Sequence, residues 1–326
     1  MNNAGKKPPV QAVRLLNVSE EAAGQRVDNF LLRELKGVPK SRIYRLLRKG
    51  EVRVNRGRVR PEYRLAVGDQ LRIPPVRVAE RGHPPPQRER LRWLDEAVLF
   101  EDQRLLVLAK PAGMAVHGGS GVRYGIIEAV RAWRDDLPFV ELVHRLDRDT
   151  SGCLVIAKRR SALRALQQAL REGTVVKRYL ALVRGRLERR LEVEAPLRKN
   201  QLRSGERVVR VAEDGRAARS RFVPREHFRY REVEASLVGV RIYTGRTHQI
   251  RVHAAHAGHP LAGDEKYGDP GFDRCLRSAG LRRLFLHAES LVFPWLPWAP
   301  QGLAFHAPLP GELDELLFRL RMNETS

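Results

Sequence analysis

His144-Arg145-Leu146-Asp147-Arg148-Asp149-Thr150-Ser151-Gly152 is a polar stretch set between two apolar, β-prone runs, Phe139 to Val143 and Cys153 to Ala157. Strands on both sides make it a loop pinned at each end, the setting in which a rigid scaffold positions functional side chains. Asp147 is flanked by Arg145 and Arg148, and hydroxyls follow at Thr150 and Ser151. These are the parts of a carboxylate kept ionised by nearby positive charge and available as a nucleophile. A capped turn braced by surface ion pairs uses the same residue types, so the nine residues alone admit both readings.

On the carboxyl side, Ser161 is a candidate N-cap for a helix with Leu163, Leu166 and Leu170 on one side and Gly173 at its end. Val175 to Val183 alternates as a strand, which places Tyr179 on the face of Val175, Lys177 and Ala181. A core tyrosine fits that pattern as well as a functional one does. Asp214-Gly215 is a hairpin signal, and Ser236 to Tyr243 is a further strand leading into Thr244-Gly-Arg-Thr-His-Gln-Ile-Arg-Val-His253. Gln249 to Ala257 reads as a helix stopped by Gly258, Leu284 to Ala288 as a strand, and Leu313, Leu316, Leu317 and Leu320 mark a last helix.

On the amino side, Leu105 to Ala109 predicts a buried strand ending at Lys110-Pro-Ala-Gly113. The glycine-rich bend from Gly118 to Gly121 does not keep the spacing of a phosphate or dinucleotide loop, so no nucleotide cofactor is expected. Residues 92–326 therefore read as an α+β catalytic domain, a mixed, mainly antiparallel sheet flanked by helices and loops. His248, His253, His256 and His259 invite a metal site, but no cysteine lies near them and no His-Glu-x-x-His pattern occurs, so no metal is expected. The two cysteines, Cys153 and Cys275, exclude a disulfide framework, and with it the cysteine pairs that zinc-dependent base deamination needs.

The first eighty residues differ in character. After a tail over 1–13, a helix from Gly24 carries Val27, Phe30, Leu31 and Leu35 on one face; Gly37-Val-Pro39 breaks it. Ser41 is a candidate N-cap for a second helix with Ile43, Leu46 and Leu47, closed by Gly50. Short strands follow at Val52 and Val54 and at Leu71 and Ile73, with turns at Asn55-Arg-Gly57 and Gly68-Asp69. Between Arg33 and Arg64 stand twelve basic residues against Glu34, Glu51 and Glu62. Arg42, Arg45 and Lys49 share the face of the second helix opposite its apolar stripe and, with Arg53, form a candidate phosphate-binding surface. Residues 81–91, with Pro84-Pro-Pro86, read as a linker between this module over 14–80 and the catalytic domain.

The whole chain of 326 residues has 61 Lys and Arg against 38 Asp and Glu, a formal charge of +23, which implies a polyanionic partner. No apolar run approaches the roughly 20 residues that span a bilayer, and the start lacks the apolar core of a secretory signal, so a cytoplasmic protein is expected.

Three segments together resemble the pseudouridine synthase family that modifies ribosomal and transfer RNA: the motif His144 to Gly152, then Lys177-Arg178-Tyr179, then Gly245 to His253 with Gly258-His-Pro260 and Gly263-Asp264. The amino-terminal module resembles the S4 RNA-binding domain through Arg26-Val-Asp28, Lys40-Ser-Arg42 and Gly50 to Asn55. The resemblance implies Asp147 as nucleophile, Tyr179 as the aromatic platform for the target base, Arg251 as the partner of the aspartate and Arg145 as the residue that displaces the target nucleotide. It also implies that Leu286 closes the pocket and that His144, Thr150, Arg246, His248 and Gln249 contact the substrate. The expected activity is isomerisation of uridines in large-subunit ribosomal RNA, by a monomer, without cofactor. Asp149 is expected to order the loop. Two alternatives use the same residues differently. A non-catalytic S4-type RNA-binding or ribosome-assembly factor would leave the Asp147 loop inert, and a nucleoside hydrolase would use Asp147 and Asp149 as paired carboxylates.

Overall fold

A computed structural model describes residues 13–35, 38–76, 91–118, 124–201 and 207–324. The expected tail up to residue 12, the linker over 81–90 and the Gly119 to Gly121 part of the glycine-rich bend lie outside the described residues. The chain divides into two compact units, Met1–Pro85 and Pro86–Ser326.

The first unit contains β1 (Arg14–Asn17), α1 (Val27–Glu34), α2 (Lys40–Arg48), β2 (Arg53–Val54), β3 (Gly57–Arg58) and β4 (Gln70–Ile73), with the strands in the order β1-β4-β2-β3. Val27, Phe30 and Leu31 of α1 and Ile43, Leu46 and Leu47 of α2 bury their apolar stripes with Val52, Val54, Leu71 and Ile73 in one core. The chain turns from β2 to β3 in two residues, Asn55 and Arg56, both at positive φ, the backbone of the turn that matches strand twist. Two details depart from expectation. The N-cap of α2 is Pro39, not Ser41, because a fixed φ of −57° and the missing N–H suit proline to open a helix. β1 pairs with β4 as an edge strand that the sequence did not announce.

In the second unit α3 (Trp93–Ala97), β5 (Val98–Glu101), β6 (Leu105–Lys110), α4 (Ile126–Trp133), β7 (Glu141–Leu142) and β8 (Ser151–Ala157) precede α5 (Arg160–Glu172) and β9 (Val176–Arg184). There follow β10 (Leu191–Glu194), β11 (Leu197–Gln201), β12 (Arg207–Val211), β13 (Arg219–Tyr230), β14 (Val233–Ile242) and α6 (Gln249–His256). The unit ends with α7 (Pro270–Ser278), β15 (Leu286–Phe293), β16 (Leu303–His306) and α8 (Gly311–Glu324). Ten strands form one sheet, β10-β13-β14-β9-β15-β8-β6-β5, with β16 on β15 and β7 on β8. Among the described strands only β15 and β8 run parallel, so the sheet is mixed and mainly antiparallel.

Alternation along the strands divides the core. Leu106, Leu108, Leu154 and Ile156 face α3 and α4, while Leu105, Val107 and Val155 face Ala162 and Leu166 of α5. Leu180, Leu182 and Leu237 pack under α7 and α8, and Ala181, Val238 and Val240 meet α6. The helix α5 is capped by Arg159 rather than Ser161, with Leu163 N–H already bonded to the Arg159 carbonyl, and Gly173 ends it at φ +75°. Asp214 and Gly215 form a turn, but it does not join paired strands: β12 pairs with β11, and Arg216 bridges back to Leu197.

Candidate active site

Asp147 lies in the loop between β7 and β8, two strands that pair with each other and so fix both ends of the loop. Leu146 is buried among Leu154, Ile156 and Ala288. On one side of the loop, the Val155 backbone N–H donates to His144 Nε2 at 3.1 Å. Burial pushes the His144 imidazole down to about 4, so the ring is neutral at physiological pH and accepts this bond. On the other side, Lys110 at the end of β6 donates from Nζ to the carbonyls of Pro111, Met114 and Arg148 at 2.7, 2.8 and 2.9 Å. Burial pushes its ammonium down to about 7 against the pull of Asp149 and Asp147. Three acceptors around Nζ match the three N–H groups of the charged form, and ammonium is therefore the form around which the loop is built. Gly152 completes the setting: at φ +115° it lets β8 pass β15 so closely that a Cβ would sit 2.2 Å from the Ala288 carbonyl oxygen.

Across the cleft, the start of α6 is organised by Asp264. Its carboxylate accepts from Arg251 Nε at 2.7 Å and Nη2 at 2.6 Å, and from the backbone N–H groups of Lys266 and Tyr267. Both partners of this ion pair are buried. Burial opposes the Arg251 charge, yet the bonds to Asp264 and the negative charges of Asp264 and Asp147 carry its pKa upward. The guanidinium lies 5.1 Å from the Tyr267 ring centroid, and the Tyr267 hydroxyl accepts from Val209 N–H at 2.9 Å and bonds His248 Nδ1 at 2.9 Å. His248 itself opens α6 at φ +53°. Burial pulls its pKa down, with Asp147 pulling the other way.

All ten residues expected to act in catalysis or substrate contact border one cleft of about 780 Å³. Asp147, Arg145, His248 and Arg251 also line a larger concavity of about 1430 Å³ that holds Lys110 and Arg283, so the aspartate stands where two hollows meet. Among the described residues, no hydrogen bond or salt bridge reaches the Asp147 carboxylate, whereas Asp149 pairs with Arg148 at 3.1 Å. Tyr179 packs against both the cluster that includes α4 and the cluster that includes α6, and burial followed by the Asp147 charge raises its phenol pKa. Leu286 is buried beside it on β15, Thr150 is buried at the end of the loop, and Arg145 and Arg246 are exposed at the rim.

Three of the expected site residues have polar groups already engaged by the scaffold. Arg251 makes no hydrogen bond or ion pair with Asp147: its fork is held by Asp264, whose two oxygens and fixed position match it bidentately. His144 is bound into the scaffold, because its one acceptor nitrogen is taken by Val155. Gln249 is likewise committed, since its Oε1 accepts from Thr244 Oγ1 and Arg246 N–H and its Nε2 donates to Arg219 O and Ser220 Oγ. Sequence reasoning missed Lys110, Asp264 and Tyr267. Gly263-Asp264 stood in the third segment and Lys110 ended a buried strand, so two of the three carried a signal. The histidines serve separate ends, His253 bonding Ser220 and Ala195 and His259 the Arg184 carbonyl. Among the described residues no group of three or more potential metal ligands converges, and no helix is long and apolar enough to cross a membrane.

A mixed sheet that carries a carboxylate with no ion-pair partner among the described residues beside a half-buried tyrosine, in a chain with a basic two-helix module, has the parts of an enzyme that works on the bases of RNA. Comparison with known proteins makes this specific. The family model for RNA pseudouridylate synthase matches residues 104–256, and that for the S4 domain matches 25–71. The ribosomal large subunit pseudouridine synthase C of Pasteurella multocida (strain Pm70) is 55% identical over 319 residues, covering 97% of this chain and 96% of that one. Its counterpart by name in Escherichia coli (strain K12) is 52% identical over 320 residues, covering 97% and 99%. The solved structure of human RNA Pseudouridylate Synthase Domain Containing 4 superposes with a TM-score of 0.58 at 26% identity, covering 72% of this chain and 96% of that one. The chain belongs to the RNA pseudouridylate synthase family and carries an S4 domain.

Proposed function

We propose that this enzyme isomerises specific uridines of large-subunit (23S) ribosomal RNA to pseudouridine, with Asp147 as nucleophile. One observation carries the reading: Asp147, unpaired among the described residues, shares a single cleft with Tyr179 and Arg251. The names of the relatives above support the choice of RNA.

The target uridine leaves its stack at a cost of a few kcal/mol, and stacking on the Tyr179 ring offsets about 1–3 kcal/mol of it. The raised phenol pKa keeps Tyr179 neutral, as a platform needs. Arg145, exposed at the rim, fills the place the nucleotide leaves, and Leu286 closes the pocket behind the base. The Asp147 carboxylate attacks at the sugar C1′ or the base C6. The N1–C1′ bond breaks, the base turns, C5 bonds to C1′, the bond to Asp147 breaks and returns the free carboxylate, the C5 proton is lost and N1 gains one, so atoms balance without an added reagent. Arg251 acts at range from its seat on Asp264, while Thr150, Arg246 and His248 border the substrate and His144 and Gln249 position the elements that bear the others. In the S4 domain, Arg42, Arg45, Lys49 and Arg53 hold RNA phosphates. The enzyme acts as a cytoplasmic monomer on this reading.

The test uses purified protein and unmodified large-subunit RNA, with pseudouridine mapped at nucleotide resolution. Asp147→Asn is expected to leave RNA binding intact and conversion undetectable; conversion by that variant would remove Asp147 from its role.

A further inference from the structure

Directly opposed residues form a row across six strands of the large sheet: His306, Ser290, Arg178, Arg241, Arg221 and Glu192. Three consecutive members, on the adjacent strands β9, β14 and β13, are arginines. Opposed residues on neighbouring strands project from the same face, and like charges placed so destabilise the pairing. With strands about 4.8 Å apart, the outer two backbones of this arginine row are about 10 Å apart.

The local charge is not balanced. Arg219, two residues before Arg221, lies on the same face, and Tyr243, two residues after Arg241, gathers the guanidinium carbons of Arg219, Arg241 and Arg221 at 4.7, 4.9 and 5.6 Å from its ring centroid. Glu192 pairs with Arg221 and, at 3.5 Å, with Arg219. Arg178 and Arg241 have no acidic partner among the described residues, and Arg178 and Arg219 are exposed. A merely solvated face mixes both signs; this one holds an excess of planar, fork-shaped donors suited to phosphate.

The row lies on the face of the sheet opposite Tyr179, whose own row runs through Val240 and Phe222. It is nevertheless continuous with the cleft, because Tyr243 borders that cleft and Arg246 stands three residues further along its rim. We propose that Arg178, Arg241, Arg221 and Arg219, gathered at Tyr243, form a second phosphate-backbone contact that takes the RNA strand flanking the target uridine as it leaves the cleft. The proposal rests on RNA being the substrate. A uniform polyanion fits the uncompensated charge better than a protein surface of mixed sign.

The test is the double variant Arg178→Gln/Arg241→Gln, which leaves the Arg221–Glu192 pair intact. With unmodified large-subunit RNA, the slope of log affinity against log salt is expected to fall by roughly 1.4 for two lost single-strand contacts. The rate at saturating RNA should be unchanged, and Arg178→Lys/Arg241→Lys should restore the slope. An unchanged slope and affinity would overturn the proposal, as would weakened binding to ribosomal particles but not to naked RNA, which would assign the row to an acidic protein. If the slope falls while wild-type protein forms no pseudouridine, the row stands as an RNA contact and the proposed reaction is what fails.

Discussion

Asp147 borders the cleft and Asp264 lies buried behind the cleft residue Arg251, and the two carboxylates are treated in opposite ways. Asp264 is buried and holds four donors, two from Arg251 and two from the backbone of Lys266 and Tyr267. Asp147 opens onto the cleft and accepts nothing from any described side chain. The loop around Asp147 is secured by other groups, with His144 bound to Val155 and Lys110 bound to the Arg148 carbonyl. The difference shows a division of labour at the cleft: Asp264 fixes the Arg251 guanidinium, so that its charge and that of Asp147 interact through space while the Asp147 carboxylate stays free of contacts among the described residues.

The comparison breaks most readily at Asp264. Asp264→Asn leaves the buried Arg251 guanidinium without its counter-charge, and removing one partner of a buried pair costs about 3–5 kcal/mol. The thermal midpoint is expected to fall by roughly 10 °C for a domain of this size, with activity falling as Arg251 loses its seat. The half-buried, unpaired counterpart, Asp147→Asn, should unfold at nearly the wild-type temperature. Equal losses of stability in the two variants, measured by calorimetry, would refute the division of roles.

That division was only half legible in the sequence. The loop between two apolar runs, the alternation that carries Tyr179 and the uninterrupted run after Gln249 all report local periodicity, and each became the element expected. The seat of Arg251 did not, because a bidentate pair between residues thirteen positions apart depends on how the Gly263–Tyr267 turn returns to α6, and periodicity says nothing about that. His144 and Gln249 were assigned to substrate for the same reason: their polar atoms are satisfied by Val155 on β8 and by Arg219 and Ser220 on β13, partners that only the folded sheet brings near. β1 escaped notice because an edge strand of four residues with alternating exposure leaves little apolar signal.

A smaller effect sharpens the account of how the Asp147 loop is held. The folded pKa of His144 is lowered from 6.5 to about 4 by burial. Between those values the unfolded chain binds a proton that the folded loop excludes, so stability contributed by the neutral ring is complete above pH 6.5 and is lost as pH falls toward 4. The full loss is up to about 3 kcal/mol. Denaturant midpoints should fall over that window in the wild type and less steeply in His144→Gln, and NMR titration of the ring should find no protonation near pH 6.5.

The least effect is expected at Tyr267, where the comparison is tested on the Asp264 side without touching charge. Its hydroxyl accepts from Val209 N–H and bonds His248 Nδ1, joining β12 to the residue that opens α6 at positive φ. Tyr267→Phe keeps the ring against Arg251 but leaves the Val209 N–H, on a buried residue, without its acceptor. One unmade hydrogen bond of this kind costs about 1–3 kcal/mol, and the lower end is expected because the ring remains to fill its space. If His248 borders the substrate only through its backbone position, the rate at saturating RNA should stay within a few-fold of wild type while the unfolding midpoint drops by a few degrees. A large fall in rate with no change in midpoint would mean instead that the Tyr267–His248 bond sets a tautomer the reaction needs, and α6 would then contribute chemistry as well as position.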